Sequence, residues 1–408
     1  VAPLARREFL GLSATTVLGV LTGPAEAEPS SGEPVQARAD PGGSDPVTLC
    51  LCGDVMTGRG IDQVLPHPSD PRLHEPQVRS ALAYVELAER RHGPIPRPVE
   101  FAYVWGDALA ELQRAGPEVR IVNLETAVTR SDDRAPRGIN YRMHPANGPV
   151  LETAGIDLCT LANNHVLDWG EAGLLETLDT LRHAKIGTVG AGRNAAEAAA
   201  PAILELPRGR RVITFALGSV TSGIPEEWAA SAERPGVNLL EASAIREIAA
   251  SIERVKRPGD VVVASLHWGA NWGYAIPARH SELAHALVDE AGVDVVHGHS
   301  SHHPKGIEVH RGRPLLYGCG DFLSDYEGIA GYEEFRGDLV LIYLVSFDPA
   351  FGRLVRLEMT PLRIRRFRLE RASPEDNRWL QATLGRECAK LGTRLGLAAE
   401  GRLALGWA

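Results

Sequence analysis

From Val47 onward, short apolar runs recur along the chain and each ends in polar or glycine-rich residues: VTLCLCGD, VRIVNLET, DLCTLANNH, RVITFALG, DVVVASLHWG, VDVVHGHSSHH and RPLLYGCGDF. Runs of this length predict buried strands. Between them, EAGLLETLDTLRHA and RHSELAHALVDEAG repeat apolar residues at helical spacing, so the alternation predicts an α/β architecture. After Arg336 the texture changes. GDLVLIYLVSFDPAFGRLVRLEMTPLRIRRFRLERA predicts strands joined by tight turns with no helix between them, hence antiparallel pairs and mixed sheets. A folded domain is expected over 47–372, followed by a helical extension over 373–408 that opens on SPEDNRWLQATLGRECAKLG, with Ser373 as cap and Pro374 in the first turn. The stretch 61–117 is rich in Pro and His, carries a helical pattern in QVRSALAYVELAERRHG, and reads as an insertion near the mouth of a site.

Composition narrows the class. At 408 residues, 44% hydrophobic and 23% charged, the chain is long enough to bury a sizeable core. A formal net charge of -9 with no run of Lys and Arg excludes a nucleic-acid footprint. The first residues differ in kind: ARREFLGLSATTVLGVLTGPAEAEPS pairs Arg6 with Arg7, follows with an apolar stretch, and offers Ala25 and Ala27 as a cleavage signature. Residues 1–27 therefore read as a twin-arginine signal peptide and 28–46 as a disordered linker. The apolar run is short and interrupted, so no permanent membrane span is expected, and the mature protein is expected in the periplasm, the cell wall or outside the cell. Five cysteines, mostly inside apolar segments, read as buried free thiols rather than a disulfide framework.

The candidate chemistry lies where the strands end. Five separate runs terminate in a side chain able to bind metal or move a proton: Asp54 in CGDVMTGR, Asn123 and Glu125 in NLET, Asn164 and His165 in ANNH, His267 in SLHWG, and His297, His299 and His302 in HGHSSHH. In α/β sheets ligands bind in the crevice beyond the strand ends, so groups far apart in sequence can meet there. Taken singly, Asp54 fits a turn as well as a ligand, Asn123 and Glu125 fit a helix cap, and His267 fits a core histidine. The four histidines between His297 and His303 are harder to place in a core and favour a metal or phosphate site. Carboxylate, imidazole and amide donors together suit one or two divalent ions, Mn, Fe or Zn, with Mg or Ca where carboxylates dominate. Arg59 is a candidate for holding an anionic substrate group, with Asn123 and Trp268 as further lining residues.

The landmarks GDVMTGRG, NLETAVT, LANNHVLDWGEAGLLETLDTL, TVGAGRNAAEA, SLHWGANW, HGHSSHHPKGIEV and YGCGDFLSDY, in this order, resemble the CapA family of poly-gamma-glutamate and capsule biosynthesis proteins. That family is related to the calcineurin-like metallophosphoesterases. The resemblance implies a four-layer α/β/β/α sandwich of mixed sheets with a metal centre at the edge of two facing sheets. It implies Asp54 and His302 at one metal, and Asn164, His267 and His299 at a second. Glu125, or else Asn123, would take the bridging carboxylate's place, and His165, oriented by Asp168, would be a general acid. Two departures stand out: Met56 sits where metallophosphoesterases carry a histidine, and His299 and His302 are separated by two residues instead of one.

Three activities follow as expectations. The first is metal-dependent hydrolysis of a phosphate ester or acyl substrate. The second is an accessory role in making or exporting poly-gamma-glutamate or another anionic surface polymer, in association with a polymer synthase or export complex. The third is proton chemistry beside a carbonyl, as in a peptide epimerase, with Asp54 and a histidine as the acid/base pair.

Overall fold

The computed structural model describes residues 46–348 and 352–408; the signal-peptide and linker expectations lie outside the described residues. Two large mixed sheets organise the chain. In the ten-stranded sheet, Val47–Val55, Val119–Leu124, Leu158–Thr160 and Gly187–Val189 run parallel in that spatial order. On the other side of Val47–Val55 lie Leu339–Asp348 and Arg353–Arg365, both antiparallel to their neighbours, as the hairpin texture of the sequence predicts. The six-stranded sheet places Arg211–Gly218, Val261–His267, Val295–His299 and Arg313–Leu316 side by side in parallel. Antiparallel edge strands, Ala202–Glu205 and Ile307–His310, close it on both sides.

Alternation along the strands assigns each residue a face. Leu49, Leu51, Val119, Ile121 and Leu158 of the larger sheet share one apolar cluster with Val212, Val261, Val263 and Val295 of the smaller. The opposite residues of the larger sheet, Cys50, Cys52, Val122, Leu124 and Cys159, pack with Tyr84, Val85 and Ala88 of the helix Leu82–His92 and with Leu174, Leu178 and Leu181 of the helix Gly170–His183. Those of the smaller sheet, Val262, Ala264, Leu266 and Val296, pack with Ile248 and Ile252 of the helix Ala244–Val255 and with Ala284 and Leu287 of the helix Ala278–Asp289. Burying these apolar faces is the main favourable term of the fold.

Segment 61–117 contributes Ile61, Val64, Leu65, Val104, Trp105 and Ala108 to the helix-side cluster of the larger sheet, so its apolar residues belong to the main core. The C-terminal part opens as expected on a helix, Pro374–Ala389, held by a capping box between Ser373 and Asp376. It then adds two strands, Arg394–Leu397 and Leu403–Gly406, to the edge of the larger sheet, so it is helical only in its first half. All five cysteines are buried and free. Cys50 and Cys52, two apart on one strand, share a face with their sulfurs 3.7 Å apart. No helix among the described residues is long and apolar enough to cross a membrane.

Candidate metal centre

The strand alternation that builds the core also delivers its polar ends. On Val261–His267, the face carrying Val261 and Val263 continues into Ser265 and His267. On Val295–His299, the face carrying Val295 continues into His297 and His299, with Ser265 opposite His297 and His267 opposite His299. On Val119–Leu124, the face of Ile121 continues into Asn123. Asp54 is different. Strict alternation would put it with Cys50 and Cys52 on the helix side, but the pairing register shifts between Cys52 and Asp54, and Val55 joins Cys50 and Cys52 instead. This bulge at Gly53 re-aims the carboxylate into the space between the sheets.

Gly53 has a second consequence. A Cβ there would lie 1.7 Å from the Gly320 carbonyl oxygen, so only glycine permits the approach of the two segments. The Asp54 N–H donates to that carbonyl at 3.0 Å, and the short strand Asp321–Leu323 pairs in parallel with Asp54 opposite Asp321. Ser300, at a φ of 96°, turns its N–H onto Asp54 Oδ2 at 3.2 Å.

Around Asp54 the side chains form two groups with donor atoms close enough to hold a metal ion: Asp54, His267 and His299, and Asp54, His302 and Asp321. All five are buried. In the first, the Nδ1 atoms of His267 and His299 stand 2.9 Å apart, His299 Nδ1 lies 3.7 Å from Asp54 Oδ1, and His267 Nε2 lies 2.8 Å from Asn164 Oδ1. In the second, His302 Nδ1 lies 2.8 Å from Asp321 Oδ1, while Asp321 Oδ2 is buried with no hydrogen-bond partner. A buried carboxylate oxygen without a donor and two imidazole nitrogens facing each other are what a divalent cation satisfies, so the residues present fit the expected ion.

The remaining histidines are accounted for by their own partners. His297 Nε2 faces the Cys52 carbonyl at 2.9 Å, and His303 Nε2 accepts from Gly273 N at 3.1 Å. Thus His299 and His302 are the pair facing Asp54. Asn123 donates to Asp54 Oδ1 at 2.8 Å and accepts from Thr160 and Asn163, holding the carboxylate from behind. Asn163 caps the turn by accepting from the N–H groups of His165 and Val166 at 3.1 Å each, which aims Asn164 and His165 at the centre. His165 Nδ1 stands 2.6 Å from Asp168 Oδ2, and its Nε2 faces Glu125 Oε1 at 3.7 Å.

Two expected substrate contacts are buried and bonded within the protein. The Arg59 guanidinium is buried and bonded to Asp325, Glu75 and the Tyr84 hydroxyl. Trp268 is buried too, stacked on His280 with centroids 4.4 Å apart and donating from Nε1 to the Tyr317 carbonyl at 3.0 Å. A third cluster, His285, Glu308 and His310, lies half-buried away from the centre. Its imidazoles stack nearly parallel, 11° between planes, so their in-plane lone pairs do not converge. Asp321 is the ligand candidate that the structure adds: the sequence offers Asp321 and Asp325 in GCGDFLSDY only as supporting residues near the site, on the signal of the glycines flanking Cys319.

Burial penalises every charge here. The Asp54 carboxyl is pushed up to about 7 by burial and by the neighbouring Asp321 charge. Glu125 is pushed well up by burial and by Asp54. His267 and His299 are pushed well down, chiefly by burial. A divalent cation bound by Asp54, His267 and His299 needs their donor atoms free of competing protons, and in the window near neutral pH Asp54 is the one of the three whose donor still holds one. Cation affinity is therefore expected to level off above about pH 8 and to fall roughly tenfold per pH unit below about pH 6, as one proton is displaced from Asp54. Calorimetric titration with Mn across this range checks it; equal affinity at the two ends contradicts it. The linked stability has the opposite sign. The folded Asp54 keeps its proton to higher pH than the unfolded one, so the cation-free protein loses stability as pH rises towards about 7, and cation binding offsets the loss.

The model of the bacterial capsule synthesis protein PGA_cap matches residues 48–326, which spans every candidate ligand. The chain belongs to the PGA_cap family. It is 48% identical over 359 residues, 87% of this chain and 94% of the relative, to a protein of Mycobacterium tuberculosis named as a probable polyglutamine synthesis accessory protein. It is 26% identical over 322 residues, 78% of this chain and 72% of the relative, to the PGA biosynthesis protein CapA of Bacillus subtilis. With the capsule biosynthesis protein CapA of Bacillus anthracis it shares 28% identity over 283 residues, 69% of this chain and 61% of that one.

Proposed function

We propose that this PGA_cap chain is an exported accessory protein in the synthesis of poly-gamma-glutamate or a related anionic surface polymer, with a metal centre that carries hydrolase-type chemistry. The observation that carries the reading is the position of Asp54, which is shared by two buried donor groups, His267 with His299 and His302 with Asp321. The names of the relatives supply the polymer. The four-layer sandwich is part of the same reading, and the apolar cluster shared by the two sheets, with helices packed on their outer faces, supports it. Export rests on the Arg6–Arg7 leader.

When bound, a divalent cation held by Asp54, His267, His299, His302 and Asp321 would polarise a phosphoryl or acyl oxygen of the substrate. The protein's own groups handle the proton. Asp168 accepts from the Tyr141 N–H at 2.7 Å and from Arg137 at 3.4 Å, which holds its carboxylate in place. It orients His165 with the Nδ1 proton inward and Nε2 towards Glu125. Burial lowers the His165 imidazole and raises the Glu125 carboxyl, so the pair stores one proton between Glu125 Oε1 and His165 Nε2 for the leaving group. Asn164, half-buried, sits at the accessible side beside His267.

A chromogenic phosphate ester with added Mn, and a titration with poly-gamma-glutamate with and without chelator, test the proposal. His165→Gln is expected to lower kcat by roughly 100-fold or more with cation stoichiometry unchanged, because His165 belongs to neither donor group. Chelator-sensitive polymer binding with no turnover by any divalent ion would replace hydrolysis with a binding role, which the word accessory in a relative's name also suits.

A further inference from the structure

Two polar residues lie behind the metal centre in positions where the strands are otherwise valine-rich. Ser265 and His297 are fully buried neighbours on adjacent parallel strands. Buried polar groups persist at such positions when each proton has a defined acceptor, and here the protons can be counted. The chain starts at an atom that can only accept. The Cys52 carbonyl lies 2.9 Å from His297 Nε2, so Nε2 carries the hydrogen and His297 Nδ1, in the uncharged ring, presents a lone pair. That lone pair faces Ser265 Oγ at 3.1 Å and takes the single hydroxyl proton. Ser265 Oγ is then left only as an acceptor for His299 Nε2, 2.8 Å away. His299 must therefore hold its hydrogen on Nε2, and its Nδ1 lone pair points at His267 Nδ1 and Asp54.

We propose that Ser265 and His297 are positioning residues that lock the tautomer of His299, so that its Nδ1 lone pair is presented beside Asp54 for a divalent cation. The inference rests on the metal reading above, yet the tautomer itself is measurable without metal. Outer partners of this kind orient a metal-binding imidazole and raise cation affinity 10- to 100-fold. Without the His297 acceptor, the Ser265 hydroxyl is free to donate to His299 Nε2, which drives the His299 hydrogen to Nδ1 and blocks the ligand atom.

The test uses cation-free protein labelled with 15N-histidine, in which long-range 1H–15N correlations distinguish the two neutral tautomers, followed by titration with Zn. In the wild type, His297 and His299 are both expected as the Nε2–H form. His297→Leu is expected to shift His299 towards the Nδ1–H form and to weaken Zn roughly 10- to 100-fold. His297→Asn keeps an acceptor near the position of Nδ1 and is expected to restore both. Ser265→Ala is expected to weaken Zn to a similar degree. The Nδ1–H form of His299 in the wild type overturns the proposal, whether or not the variants fold. So does a His297→Leu protein with unchanged tautomer and unchanged affinity. Failure of the wild type to bind any divalent ion would sink the hydrolase-type reading, while the tautomer spectrum would still decide the relay.

Discussion

Replacing Asp54 with asparagine is expected to remove cation binding from both donor groups at once, with affinity falling by roughly 100-fold or more and turnover of a phosphate ester to about a thousandth of the wild type. The substitution keeps shape and one acceptor oxygen, so Asn123 retains its 2.8 Å bond to position 54. What is lost is the charge. The His267 and His299 group would keep no carboxylate, and the His302 group would keep only Asp321. Unlike most replacements of a buried polar residue, this one is expected to stabilise the cation-free protein above about pH 7, because Asp54 is the carboxyl that burial and Asp321 hold up to about 7. Asp321→Asn is the control: it removes one group's second carboxylate and is expected to leave cation binding at Asp54, His267 and His299. Thermal unfolding at about pH 8 with and without Mn, beside titration of both variants, checks the pattern. Tight binding by Asp54→Asn would show that the two groups do not share their anion.

How far the sequence discloses this centre depends on which physical rule each residue obeys. Period-two alternation makes Ser265, His267, His297 and His299 legible, because each continues a face whose earlier members are valines in the shared cluster. The same rule misplaces Asp54, since nothing in CLCGDV announces that the register slips at Gly53. It also says nothing about Asp321, whose place opposite Asp54 depends on a glycine-to-glycine approach between segments about 270 residues apart in the chain. The part played by 61–117 was hidden for another reason. Its Pro and His content reads as an insertion near the mouth of a site and gives no sign that Trp105, Tyr84 and Ile61 are fully buried against the helix-side face of the larger sheet. Composition reports what a segment contains, and burial is decided by the minority of its residues that meet the core.

Arg59 shows the converse, a residue whose chemistry suggests a ligand while all three of its guanidinium nitrogens are bonded within the protein. Its Nε and Nη2 bond both oxygens of Asp325 at 3.2 and 2.5 Å, and Nη1 reaches Glu75 at 3.1 Å and the Tyr84 hydroxyl at 2.7 Å. The guanidinium lies over the Tyr84 ring at 3.9 Å and within 4.5 Å of the Tyr141 ring. Arg59→Met is expected to cost about 3–5 kcal/mol, because two buried carboxylates are left facing each other without a cation. The loss is expected to be larger at pH 8 than at about pH 5, where Glu75, which burial already holds above the usual carboxylate range, can neutralise by taking up a proton. Arg59→Lys should recover only part of the loss, since one ammonium cannot bond both oxygens of Asp325 while also reaching Glu75 and Tyr84. The consequence for the metal centre is indirect: Tyr141 bonds the Tyr326 hydroxyl at 2.6 Å, and the Tyr326 ring stands edge-on to His302 with centroids 5.2 Å apart. Urea unfolding of the two variants measures the stability term, and KM for an anionic substrate separates the roles. A folded Arg59→Met protein is expected to keep KM within about threefold of the wild type; a large rise in KM at unchanged stability would return Arg59 to the substrate.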